Sequence, residues 1–104
     1  MLLNNHRDLA AQYIFGSNIR SFIWSQSARF RDLGFLSDIQ RSTYAEDLNN
    51  RGEVVGNTSP AAHAFFWSES TGLVDLGQGE ARKVNDSGLV LGTGGPASLV
   101  VWTR

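Results

Sequence analysis

The sequence contains no cysteine, which excludes disulfides and any zinc site built on thiolates. Lysine is nearly missing too. Lys83 is the sole example, and every other basic residue except His6 and His63 is an arginine. The formal net charge is -1, so there is no basic stripe to neutralise phosphates, and no nucleic-acid partner is expected. No apolar run approaches the roughly 20 residues that span a bilayer. The opening Met1-Leu2-Leu3-Asn4-Asn5-His6 has neither the charged start nor the apolar stretch of a signal peptide. The expectation is a soluble chain with no membrane span and no export signal of its own. Its 104 residues suffice for one small domain that buries roughly 65% of the surface its unfolded chain exposes.

What is present is a repeat. The middle copy runs Leu48-Asn49-Asn50-Arg51-Gly52-Glu53-Val54-Val55-Gly56, then His63-Ala64-Phe65-Phe66-Trp67-Ser68, then Gly72-Leu73-Val74-Asp75-Leu76-Gly77. The third opens as Val84-Asn85-Asp86-Ser87-Gly88-Leu89-Val90-Leu91-Gly92 and reaches its tryptophan in Leu99-Val100-Val101-Trp102. The first has Leu3-Asn4-Asn5, then Ser21-Phe22-Ile23-Trp24-Ser25, then Phe30-Arg31-Asp32-Leu33-Gly34. Approximate units are 1–41, 42–77 and 78–104 of a single repeat domain. The first is the most divergent: Arg7-Asp8-Leu9-Ala10-Ala11 replaces the stretch that carries two glycines elsewhere.

Each unit reads as short strands punctuated by turns. In the middle unit these are Tyr44 to Leu48, Val54 to Asn57, Ala64 to Trp67 and Leu73 to Leu76. Asn49 to Gly52 form a turn that uses the tolerance of Asn and Gly for positive φ. Thr58 to Ala61 is a loop that Pro60 keeps out of any ladder. The unbroken apolar run Ala64-Phe65-Phe66-Trp67 implies burial on both faces. The third unit gives Ala81 to Val84, Leu89 to Leu91 and Leu99 to Trp102, with Gly92 to Pro96 as a loop. In the first, Leu9, Tyr13 and Ile14 share one helical face, yet Tyr13-Ile14-Phe15-Gly16 favours a strand. Four strands per unit of about 40 residues point to an all-β fold of three four-stranded antiparallel units, like propeller blades. A β-trefoil is the alternative.

The order Asn-x-x-Gly-x-Val-Val-Gly, His63-Ala64-Phe65-x-Trp67-Ser68, Asp75-Leu76-Gly77 resembles the HAF repeat, a family named for its His-Ala-Phe. The resemblance implies a propeller-like segment of a large bacterial extracellular or cell-surface protein. It implies no defined activity and brings no catalytic residue. Three such blades do not close a ring of the usual size, and an uncapped array leaves an apolar face open. The expectation is self-association into a homo-oligomer, or a place in a longer array.

Candidate chemistry is sparse. His63, Ser68 and Asp75 share a unit, but the first unit has Arg20, Ser25 and Asp32 at those positions, and no nucleophile elbow is present. Asp32 and Asp75 precede Leu-Gly at strand ends, where a carboxylate accepts N–H groups of the following turn. The turns at Asn49 and Asn85 are oxygen-rich but lack the alternating acidic spacing of a calcium loop. Gly77-Gln78-Gly79 and Gly92-Thr93-Gly94-Gly95 lack the dinucleotide pattern and a following helix. Asn57-Thr58-Ser59 and Asn85-Asp86-Ser87 match the glycosylation sequon, which matters only in a eukaryotic secreted protein. Trp24, Trp67 and Trp102 recur at one position and are expected in the core between blades. No catalytic, cofactor-binding or metal-ligating residue is assigned and no cofactor is expected. The reading is a non-catalytic module that binds an unidentified protein or carbohydrate, with Thr58 to Ala62 and Gly92 to Ala97 as variable loops. A purely structural repeat segment is the alternative, and a hydrolase-type enzyme ranks third.

Overall fold

The computed structural model describes residues 1–27, 29–37, 41–94 and 97–102. Its strands are β1 (Leu2–Leu3), β2 (Leu9–Phe15), β3 (Asn18–Ser25), β4 (Arg29–Asp32), β5 (Ser42–Leu48), β6 (Val54–Ser59), β7 (His63–Ser68), β8 (Gly72–Gln78), β9 (Glu80–Val84), β10 (Val90–Gly94) and β11 (Ala97–Trp102). They form three antiparallel sheets in chain order: β1 to β4, β5 to β8, and β9 to β11. The protein is all-β. Among the described residues the third sheet has three strands, and the strands do not close into a barrel. Three discrete sheets are not the arrangement of the trefoil alternative, which is set aside. No helix is long and apolar enough to cross a membrane among the described residues.

The strand favoured in the first unit is present, across Leu9–Phe15, while two expected loops shift. β6 continues through Thr58 and Ser59, so the expected loop begins later. β10 takes in Gly92, Thr93 and Gly94, positions expected in a loop. Gly95 and Pro96 of that loop lie outside the described residues, and Ala97, its expected last residue, instead opens β11.

The three sheets share one register. Leu9 pairs with Trp24, Val54 with Trp67, and Val90 with Trp102. One position earlier on the partner strand, Ala10 faces Ile23, Val55 faces Phe66, and Leu91 faces Val101. Because side chains alternate across a strand, each sheet has two faces. The tryptophan face carries Leu9 and Trp24, Val54 and Trp67, or Val90 and Trp102. The reverse face carries Ala10 and Ile23, Val55 and Phe66, or Leu91 and Val101.

The sheets stack face to face in the same sense. The tryptophan face of the second sheet packs on the reverse face of the first, in a core of Ala10, Ile23, Leu48, Val54, Phe65 and Trp67, with Leu33 and Ala45 beside them. The tryptophan face of the third packs on the reverse face of the second, through Val55, Ala64, Phe66, Ala81, Val84 and Val90, with Trp102 against them. The middle sheet is therefore covered twice, which explains its unbroken apolar β7: Phe65 and Phe66 are both fully buried, one in each core.

Where each sheet turns from its first strand to its second, one asparagine organises the turn. Asn4 Oδ1 accepts from the N–H groups of His6 and Asp8, Asn49 Oδ1 from those of Arg51 and Glu53, and Asn85 Oδ1 from those of Ser87 and Leu89. The amides then link the sheets. Asn4 Nδ2 donates to the Asn49 carbonyl at 2.9 Å, and Asn49 Nδ2 donates to the Asn85 carbonyl at 2.8 Å. The next residues repeat the step, with Asn5 N–H donating to Asn50 Oδ1 at 2.7 Å and Asn50 N–H to Asp86 Oδ1 at 2.9 Å. A polar ladder thus runs along the stack beside the apolar cores.

Candidate functional site

The tryptophan face of the first sheet differs from its two counterparts because, among the described residues, no sheet covers it. Strand alternation in β2 sends Leu9, Ala11, Tyr13 and Phe15 to this face, and β3 and β4 add Phe22, Trp24 and Phe30. Leu48 and Val54 in the second sheet are 7% and 0% exposed, whereas the matching Leu3 is 66% exposed. Phe15 and Phe30 are each 52% exposed, and Phe22 and Trp24 are half-buried.

The exposed rings order one another. Phe22 and Phe30 stack with centroids 5.0 Å apart, and Tyr13 meets each of them edge-on at 5.9 Å. The Arg20 guanidinium lies 4.5 Å from the Phe15 ring centroid and 5.0 Å from that of Phe35. It also reaches Asp32 at 3.5 Å. The Tyr13 hydroxyl donates to the same carboxylate. That hydrogen bond, then desolvation and the Asp32 charge, hold the Tyr13 hydroxyl protonated above its ordinary range. The result is a fixed aromatic surface rimmed by one guanidinium and one carboxylate, suited to contact with another apolar surface.

This surface is missed in the sequence. Trp24 was expected in a core, and it instead looks outward from the first sheet. The core expectation fits Trp67, which is 6% exposed, and Trp102, which packs against the second core. The signal for Phe15, Phe22 and Phe30 is alternation, which marks a face without saying whether anything lies on it.

The catalytic alternative meets a plain geometry. His63 Nδ1 lies 2.9 Å from Asp75 Oδ1, but Ser68 sits at the opposite end of β7, paired with Gly72, while His63 pairs with Gln78. Five residues of strand separate them by roughly 17 Å. Ser68 Oγ bonds Thr71 Oγ1 at 2.7 Å within its own turn. His63–Asp75 is the counterpart of Arg20–Asp32, so the first two units share a basic side chain beside the carboxylate. Each carboxylate also caps its turn, Asp32 accepting from Gly34 N–H at 2.6 Å and Asp75 from Gly77 N–H at 2.8 Å.

A cleft of about 150 Å³ opens between the first two sheets, lined by Asp8, Arg31, Arg51, Trp67 and Glu69 among others. It is smaller than the roughly 300 Å³ at which small-molecule pockets begin. Arg31 pairs with Glu69 at 3.1 Å across it. The sequon asparagine Asn57 is 8% exposed within β6. The side-chain oxygens of Asn49 and Asn85 accept N–H groups of their own turns, and those of Asn50 and Asp86 accept from the turn of the neighbouring sheet. Comparison with family models, curated proteins and solved structures finds no match for this chain.

Proposed function

We propose that this chain is a non-catalytic interaction module whose working surface is the uncovered tryptophan face of its first sheet. One observation carries the reading. Leu48 and Trp67 are buried in the second sheet, whereas their equivalents here, Leu3 and Trp24, are uncovered beside an ordered aromatic patch in which Phe15 and Phe30 are half exposed. Exposed aromatic surface of this kind favours association with another protein. The aromatic edges and the Arg20–Asp32 rim also suit a carbohydrate, but the broad apolar exposure at Phe15 and Phe30 favours a protein. The repeated Asn turn, the His63-Ala64-Phe65 segment and the stacked sheets support membership of the HAF-repeat class, with propeller-like stacking and a surface or extracellular setting.

Footprinting separates this from a purely structural segment. Oxidative labelling of Phe15, Phe30 and Trp24 would be compared between the dilute purified chain and cells that produce it. Protection of these three in cells, with the exposed Val74 of the second sheet unchanged as reference, is the expected result. Equal labelling in both settings would make the chain a structural segment with no partner on this face.

A further inference from the structure

The stack repeats a single kind of junction, and its two ends are the two halves of that junction. At one end lies the tryptophan face of the first sheet, with Leu9 and Trp24. At the other lies the reverse face of the third sheet, where Leu91 is 39% and Val101 50% exposed. These are the positions of Val55 and Phe66, both fully buried by the sheet that follows. An apolar tryptophan face at one end and an apolar reverse face at the other fit each other as the internal sheets do. We propose that the first sheet of one copy of this chain stacks on the third sheet of a second copy, head to tail. This rests on the interaction-module reading and names its partner.

The polar ladder sets the register of that contact. Asn4 donates to Asn49 and Asn49 to Asn85, so the next step carries the Asn85 amide to the Asn4 carbonyl of the second copy. Likewise the Asp86 N–H continues the step from Asn5 to Asn50 to Asp86 by meeting the second copy's Asn5 side chain. Such a contact is heterologous, using two different surfaces, and closes into a ring when the rotation per sheet allows. Two copies carry six sheets, within the roughly four to eight of closed sheet rings.

Two surface variants test it. Phe30→Lys blocks the head and Val101→Lys blocks the tail. Both residues are about half exposed, so neither change opens a core, and circular dichroism with thermal melts checks that folding is kept. In sedimentation at about 100 µM the wild-type chain is expected as a dimer and each variant alone as a monomer. An equimolar mixture of the two variants is expected to give a one-to-one complex, because each retains the half that the other lacks. A wild-type monomer overturns the proposal. So does a Val101→Lys chain that still dimerises, which would mean a head-to-head contact. Should the wild type be monomeric while the head face is protected in cells, the self-stacking fails and the interaction module stands, with a different partner.

A crosslink checks the register independently of stability. The absence of cysteine makes Asn5→Cys and Asp86→Cys unique thiols. A short bis-maleimide is expected to join the two variants when mixed and neither when alone. Linkage within either single variant, or none in the mixture, would overturn the proposed register.

Discussion

Asn49 donates its side-chain amide to the backbone carbonyl of Asn85, 36 residues later, at 2.8 Å. The same amide donates to Glu53 Oε1 at 2.7 Å, and its oxygen accepts from two N–H groups of its own turn. One buried side chain, 4% exposed, thereby shapes a turn and ties two sheets. Asn49→Ala leaves several of these groups unpaired in the interior, at about 1–3 kcal/mol each before relaxation. A net loss of about 3 kcal/mol is expected in equilibrium urea unfolding. Asn85→Ala, on an exposed turn, should lose about 1 kcal/mol. Equal losses at the two sites would contradict the linking role.

Gly56 stands where a side chain has no room. A Cβ there would lie 1.8 Å from the Tyr44 carbonyl oxygen, and at Gly92 it would lie 2.0 Å from that of Glu80. Backbone must move to admit it, so Gly56→Ala should destabilise by about 3 kcal/mol or more. The matching residue of the first sheet is Ala11, tolerated because β1 spans only Leu2–Leu3 and its pairing stops short of this point. Ala11→Gly should cost no more than about 1 kcal/mol. Comparing the two melting curves tests whether the neighbouring strand, rather than the repeat pattern, demands the glycine.

Trp67 and Trp24 occupy one repeat position in different surroundings. Trp67→Ala removes a side chain from the core between the first two sheets and should cost about 3–5 kcal/mol. Trp24→Ala on the uncovered face should cost well under half of that in the dilute chain. Matching losses would show that Trp24 is covered in solution at the concentration used.

Asp86 lies on the ladder's exposed edge. Its carboxyl is held below the usual range, first by the Asn50 N–H, then by the Asn50 side-chain amide. A depressed folded pKa stabilises the fold above the unfolded value, about 3.9, and that contribution disappears as pH falls through the folded value. Acid unfolding below about pH 4 should therefore be shallower in Asp86→Asn than in the wild type, with both curves converging at the acid end. Parallel curves would mean that Asn50 does not bias this carboxylate.

The turns were legible because they depend on local chemistry. Asn49, Gly52, Asn85 and Gly88 sit where an oxygen acceptor and a positive φ are needed, and both glycines have it, at 77° and 89°. The first unit obscures the pattern because Arg7 takes the same place at φ 65°, a conformation that a side chain adopts at a cost of about 1–2 kcal/mol. The pairing of Trp24, Trp67 and Trp102 in one frame was legible too. Their environments were not, since Phe22-Ile23-Trp24 is as unbroken an apolar run as Phe65-Phe66-Trp67, although only the second sheet is covered on both faces. The His63–Asp75 pair was not legible because the residue type at its basic position changes from Arg20 to His63 between units. What recurs is a basic donor, guanidinium in one sheet and imidazole in the other, held by register rather than by residue type.

The common register of the three sheets has a consequence for how such a chain can change length. Every junction joins the same two surfaces, so excising a whole unit, or duplicating one, brings together faces already built to meet. Stability is then counted in junctions between neighbours, and genetic gain or loss of a unit changes their number without requiring a new kind of contact. Divergence is freest at the two ends, where Phe15, Phe30 and Val101 answer to whatever lies beyond, and most restricted in the middle sheet, where Phe65 and Phe66 must satisfy a neighbour on each side.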